Sequence, residues 1–293
     1  MLHALLACVL ALSFAAAQDK RASDSRTRDL HVSVVDPGGR PVPGLTAEDF
    51  VVKEDGTPRE VLKVGPSTAP MTISILVDDS QAAQPAIQQL RNGLPEFITA
   101  LPDNAEVALA TFGERPTPLV DYTTSKETLK RGVMKIFSRQ GSGAYMQDAV
   151  VEASKGFQKR NDARPIIVVL TIEDGVEFSN VRHESALKEL QKSGAVLHVL
   201  AIGQPNASQE DEMRSRQIFI AEGTRQTGGR RDQLLSEMAI PEKLKQLAEE
   251  MKNATPYQVT YSRPERLIPA DMVEVSVKRP GLRVQPAKRA AGR

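Results

Sequence analysis

Two apolar runs constrain this fold more than any other feature of the sequence. Residues 165–172, PIIVVLTI, and 195–203, AVLHVLAIG, each carry a single polar side chain and are far too short to cross a bilayer. A strand with one face in water alternates polar and apolar residues. One that is apolar throughout must be covered on both faces, as in a parallel sheet flanked by helices. MTISILVDD at 71–79 is a third such run, and AEVALATFG and TPLVDYTT read as two more strands. Between the strands the apolar spacing becomes helical. Ile87, Leu90, Leu94, Phe97, Ile98 and Leu101 fall on one stripe, as do Met146, Ala149, Val150, Ala153 and Phe157. SKETLKRGVMKIF starts a helix with Ser125 as its N-cap, SALKELQKSG stops at Gly194, and a last helix is apolar at Ile240, Leu244, Leu247 and Met251. Strands alternating with crossover helices predict an α/β domain over residues 71–254, with a doubly wound, mostly parallel, Rossmann-like sheet.

On both sides of that domain the pattern returns to period two. Residues 29–70 alternate through turns at Asp36-Pro37-Gly38-Gly39 and Asp55-Gly56 and end in the linker-like PSTAP, and residues 255–285 alternate again. A short β unit alone is marginal, so the two segments are expected to pair into one small β-sandwich into which the α/β domain is inserted. Ahead of them, residues 1–17 read as a secretory signal peptide cleaved after Ala15-x-Ala17, with Gln18 as the mature start, and 18–28 as a flexible arm. Cys8 is the only cysteine, so the mature chain is expected to hold no disulfide. Residues 286–293 are expected to be a frayed basic tail; the 31 residues from 263 onward hold eight Lys or Arg against three acids. The whole chain is nearly neutral, with 38 basic and 37 acidic residues, which excludes a nucleic-acid footprint. No later run is long enough for a membrane span.

In an open parallel sheet, ligands sit outside the carboxyl ends of the strands. Asp78, Asp79 and Ser80 fall there after the first strand, GSGAYMQDA at 141–149 leads into a helix, and Glu173, Asp174 and Glu177 follow the most apolar strand. Such hard oxygen donors suit Mg²⁺ or Ca²⁺.

At these positions the chain resembles a von Willebrand factor type A domain, whose metal-ion-dependent adhesion site reads Asp-x-Ser-x-Ser after the first strand. The family adds a Thr before the third helix and an Asp in a turn after the fourth strand. Asp78, Ser80 and Asp174 match three of these five ligands, whereas Ala82 and Ala144 stand where the other two hydroxyls belong. The segments GRPVPGLTAEDFVVKEDGTPREV and LKQLAEEMKNATPYQVTYSRP resemble the flanks of bacterial secreted proteins with such a domain. The resemblance implies a secreted or periplasmic recognition module whose partner is another protein, met at a rim around Asp79, Gly143 and Glu177. It also implies a degenerate ion site, binding Mg²⁺ (or Ca²⁺ or Mn²⁺) weakly or not at all, since the carboxylates persist while two neutral ligands are gone.

Enzymatic readings find little support. No Gly-x-Ser-x-Gly is present, and GSG at 141–143 lacks the Lys of a phosphate-binding loop. His198 reads as a satisfied core histidine and His183 as a surface one. A receiver domain would need a Lys after AVLHVLAIG, and none is there. The alternative kept open is an enzyme or ligand-sensing domain that takes a small anionic or metal-bound ligand in the same crevice.

Overall fold

The computed structural model describes residues 27–204, 211–254, 256–263 and 270–290. The expected signal peptide with Cys8, the start at Gln18 and most of the arm lie outside the described residues, as do Arg266 and Arg293 of the basic tail.

The six-stranded sheet contains β5 (Thr72–Val77), β6 (Glu106–Thr111), β7 (Thr117–Thr123), β8 (Pro165–Ile172), β9 (Val196–Ile202) and β10 (Arg231–Leu234), in the order β10-β9-β8-β5-β6-β7. Every neighbouring pair is parallel except β6 with β7. Along β5, Ile73, Ile75 and Val77 face one layer of the core and Leu76 the other. The first layer holds α1 (Ile87–Ala100), α2 (Lys126–Val133) and α6 (Ile240–Asn253). The second holds α3 (Met146–Arg160), α4 (His183–Ser193) and α5 (Asp211–Thr227). Each Val, Ile or Leu so enclosed contributes about 1.5–3 kcal/mol, which is why β8, buried at all eight positions, sits in the middle. Helix α2 begins at Ser125, whose hydroxyl accepts from the Thr128 N–H, but it stops at Val133, short of the expected Phe137.

Two elements have no counterpart in the periodicity. Helix α5 buries Arg216, Ser215 and Thr224 alongside Phe219 and Ile220, so polar residues break its apolar stripe. Strand β10 is a polar edge strand of four residues.

The flanking segments form two antiparallel sheets, β13-β1-β11-β4 and β14-β12-β2-β3. Here β1 is Thr27–Val35, β2 Phe50–Glu54, β3 Thr57–Arg59, β4 Val61–Pro66, β11 Pro256–Ser262, β12 Met272–Val277, β13 Arg283–Gln285 and β14 Lys288–Ala290. Sheet pairs join the two ends of the chain: Leu30 lies opposite Val259, and Val52 opposite Val275. One core of Val32, Val34, Phe50, Val52, Val259 and Val273 runs between the sheets. Two boundaries differ from expectation. Thr27 and Arg28 already belong to β1 rather than to an arm, and residues 288–290 pair with β12 instead of fraying. The backbone hydrogen bonds that a free end would give to water are there made within the sheet.

This β unit docks against the amino ends of the parallel strands. At the seam Gly228, with φ +74°, presses so close to β13 that a Cβ there would lie 2.0 Å from the Val284 carbonyl oxygen. The Gln285 amide donates to the Gly228 carbonyl at 2.7 Å and the Arg283 guanidinium to the Gly229 carbonyl at 3.2 Å.

Candidate functional site

The chain leaves β5 on one side of the sheet and returns through β8 on the other, so the switch point lies between their carboxyl ends. Asp78 follows β5 there and is fully buried. Its Oδ1 accepts from the Ser80 N–H at 2.9 Å and its Oδ2 from the Ile172 N–H at 3.1 Å, tying the two loops together. Burial nevertheless pushes this carboxyl above its ordinary value, because two amide donors do not replace the lost hydration. The Ser80 hydroxyl, also fully buried, makes no well-formed hydrogen bond.

Glu177 reaches the same region from the β8–α4 loop. Its Oε1 accepts from the Met146 N–H at 3.1 Å at the start of α3, a favourable place for negative charge. Its Oε2 is buried without a partner. Burial raises the carboxyl to about 7, and the nearby Asp78 adds to the rise. Ala144 pairs with Glu177 through an isolated parallel bridge, and its N–H donates to the Val176 carbonyl at 2.7 Å. Ala82 lies on the other side of the crevice, its Cβ 3.1 Å from where a Cβ on Gly175 would stand. Ala82 thus stands beside Gly175 and Ala144 beside Glu177, and both present methyl groups.

The remaining acids are committed elsewhere. Asp79 is buried, accepting from the Gly113 N–H at 2.6 Å and from the Arg139 guanidinium at 2.8 Å. Glu173 is fully buried, 2.7 Å from Arg231 and 2.5 Å from the Gln217 amide. Asp174 is exposed, and its Oδ1 would lie 2.7 Å from a Cβ on Gly203, so it leans toward the end of β9. Asp79, Gly143 and Glu177, expected as the partner-binding rim, all lie below the surface.

Sequence reasoning missed Arg216. This side chain of α5 is fully buried, and its guanidinium donates to the carbonyls of Ile172 at 3.2 Å, Glu173 at 2.6 Å and Gly175 at 3.3 Å. It also lies 3.6 Å from the Glu173 carboxylate. Its charge reaches Asp78 and Glu177, opposing the rise in both. A fixed cation thus underlies the loop from which an ion ligand would come. Residues 211–227 are mostly polar and hold three arginines, so nothing in the spacing singles out Arg216.

The donor set tests poorly against a divalent ion. Ala82 and Ala144 offer no side-chain oxygen, Asp174 leans toward Gly203, and Arg216 places positive charge under the loop. Among the described residues no group of three or more His, Cys, Asp or Glu is arranged to hold a metal. Ser80 Oγ and Glu177 Oε2 are buried there without a well-formed hydrogen bond.

Large apolar side chains are exposed around the crevice. Of the eight large hydrophobic side chains exposed among the described residues, six lie in the connections at this end of the sheet: Met134, Phe137, Val176, Phe178, Leu235 and, on a short 3-10 turn, Met238. Phe178 covers Gly143, where a Cβ would stand 2.6 Å from the ring, and meets Tyr145 at 6.2 Å between centroids. The Arg91 guanidinium sits 4.0 Å above the Phe137 ring.

A von Willebrand factor type A domain profile matches residues 72–227, more than half of the chain. The chain belongs to the von Willebrand factor type A domain family. Solved structures agree on the fold. The von Willebrand factor type A protein from Catenulispora acidiphila superposes with a TM-score of 0.51 at 13% identity, over 86% of this chain and 75% of that one. Proximal thread matrix protein 1 from the mussel byssus gives 0.53 at 15% identity, over 68% of this chain and 50% of its own. No curated protein matches the sequence. Strands β5 to β9 fall within the matched region, whereas β10 and both flanking antiparallel sheets lie outside it. Among the described residues no helix is long and apolar enough to cross a membrane.

Proposed function

We propose that this von Willebrand A protein is a non-catalytic protein-recognition module, secreted or periplasmic, that meets its partner through the apolar rim with no divalent ion at the contact. The observation that carries the reading is the gathering of Met134, Phe137, Val176, Phe178, Leu235 and Met238 at one end of the sheet. Exposed aromatic and methionine side chains around a polar depression are the composition of an interface core. The degenerate ligand set supports the same reading, because Ala82 and Ala144 offer no hydroxyl and Arg216 already supplies charge under the loop.

Affinity capture from the native envelope fraction or medium tests it. A stoichiometric protein should co-purify equally with Mg²⁺ and with EDTA, and should be lost on Phe137→Ser with Phe178→Ser. Release by EDTA, or full capture by the double variant, overturns the reading. The alternative of a small anionic or metal-bound ligand in the crevice draws on the unpartnered Ser80 Oγ and Glu177 Oε2. Turnover of esters, phosphates or peptides abolished by Ser80→Ala would favour it.

A further inference from the structure

The opposite end of the sheet holds a second, partly open pocket into which polar groups are gathered. Between the β unit and the amino ends of β8 and β9 lies a cavity with about 50 Å³ of room for the centres of water molecules. That is space for roughly four waters, or for a carboxylate carrying a short chain. His31 comes from β1, Arg164 from the residue before β8, His198 from β9 and Arg283 from β13. The walls between them are apolar, with Met71, Ile166 and Met251 among them.

The charges in this pocket do not balance. Arg164 donates to the Ala69 carbonyl at 2.9 Å and Arg283 to the Gly229 carbonyl at 3.2 Å. Neither guanidinium has a carboxylate partner among the described residues. Glu250, the one acid on the wall, is engaged by Arg230. His198 is only 5% exposed, yet its Nδ1 makes no hydrogen bond, so it is not the satisfied core histidine that its strand suggested. His31 turns its Nδ1 to the Ser67 hydroxyl at 2.7 Å. Burial lowers both imidazoles, His198 to about 4, so both are neutral near pH 7 and can still donate an N–H. Arg164 and Arg283 are half-buried, so each guanidinium has lost part of its hydration without gaining a counter-charge, and an anion reaching them gains charge-assisted hydrogen bonds.

We propose that this seam cavity binds a small organic carboxylate, its anionic group between Arg164, Arg283 and the His198 ring and its short chain against Met71 and Met251. Because the walls come from both the β unit and the α/β domain, the ligand fastens the two together. The site is independent of the rim at the carboxyl ends of the strands, and nothing in the family's adhesion chemistry requires it.

Butyrate is the probe, titrated into the full chain and followed through the histidine side chains by long-range ¹H–¹⁵N NMR. Saturable shifts are expected at His31 and His198 but not at His183, which starts α4 at the far end of the sheet. The unfolding midpoint should rise with butyrate, as for any ligand held only by the folded state. Arg164→Met should weaken binding about tenfold or more, and Arg283→Met gives the same reading if the first variant folds poorly. Sulfate should compete, and butylamine of matching shape should not bind. The assignment is overturned if butyrate gives no saturable shift by tens of millimolar, if butylamine acts equally, or if His183 moves in step with the other two. In any of those cases the cavity holds water only.

Discussion

The two ends of the parallel sheet are built on opposite principles. At the carboxyl ends, Asp78, Asp79 and Glu173 are drawn inward and tied to backbone amides or arginines, while most of the exposed large hydrophobic side chains among the described residues gather there. At the amino ends a second β layer covers the sheet, and the polar groups caught beneath it are cations and imidazoles without matching acids. The contrast teaches where each kind of recognition is placed. An exposed apolar rim recruits another folded surface, whereas a partly open pocket of unbalanced charge recruits a small ion.

The largest expected effect strikes the rim end from beneath. Arg216→Met should destabilise the protein by about 3–5 kcal/mol, since three loop carbonyls and a buried carboxylate lose their donor. Urea unfolding measures this, and a loss below about 1 kcal/mol would show that the loop stands without the guanidinium.

Next comes Glu177. Its folded value of about 7 exceeds the ordinary 4.5, so between these the folded protein holds a proton that the unfolded chain has released. Stability therefore falls as pH rises through that window, by about 3 kcal/mol for a shift of this size. Glu177→Gln should match the parent near pH 4.5 and exceed its stability by about that amount near pH 8. Parallel pH profiles for the two proteins would contradict it.

At the seam, Gly228→Ala combines a left-handed backbone with a collision at the Val284 carbonyl. A loss of about 2 kcal/mol is expected, read by thermal unfolding, with the flanking sheets loosening first in hydrogen exchange. Uniform exchange across both regions would mean that the seam transmits no strain.

The smallest effect belongs to the ion. Millimolar Mg²⁺ should move the unfolding midpoint by less than about 1 °C, in the parent and in Asp78→Ala alike. A shift of several degrees that Asp78→Ala removes would restore an ion to the site.

Much of the α/β domain was legible because strands buried on both faces and helices with one apolar stripe announce themselves by period alone. β8 and α1 were read that way. Helix α5 was not, because its buried face carries Arg216, Ser215 and Thr224, and the partners of Arg216 belong to a loop about 40 residues earlier. The site divided along the same line. That Asp78 and Ser80 share a turn was legible, since a strand end followed by a turn fixes local geometry. That Asp79 pairs with Arg139, that Glu173 pairs with Arg231 and that Asp174 leans toward Gly203 depends on contacts between distant segments, which no spacing encodes.

What the sequence by itself determined is the alternation of strands and helices and the flanking period-two segments, because burial on one face or two is written in the order of apolar residues. Only the tertiary structure decided that β1 pairs with β11 across more than 200 residues and that Arg216 supplies positive charge beneath the crevice. It alone gathered His31, Arg164, His198 and Arg283 into one cavity. Each of those depends on which surfaces meet when the whole chain closes, and the energy of a buried charge is set by the neighbours it finds there.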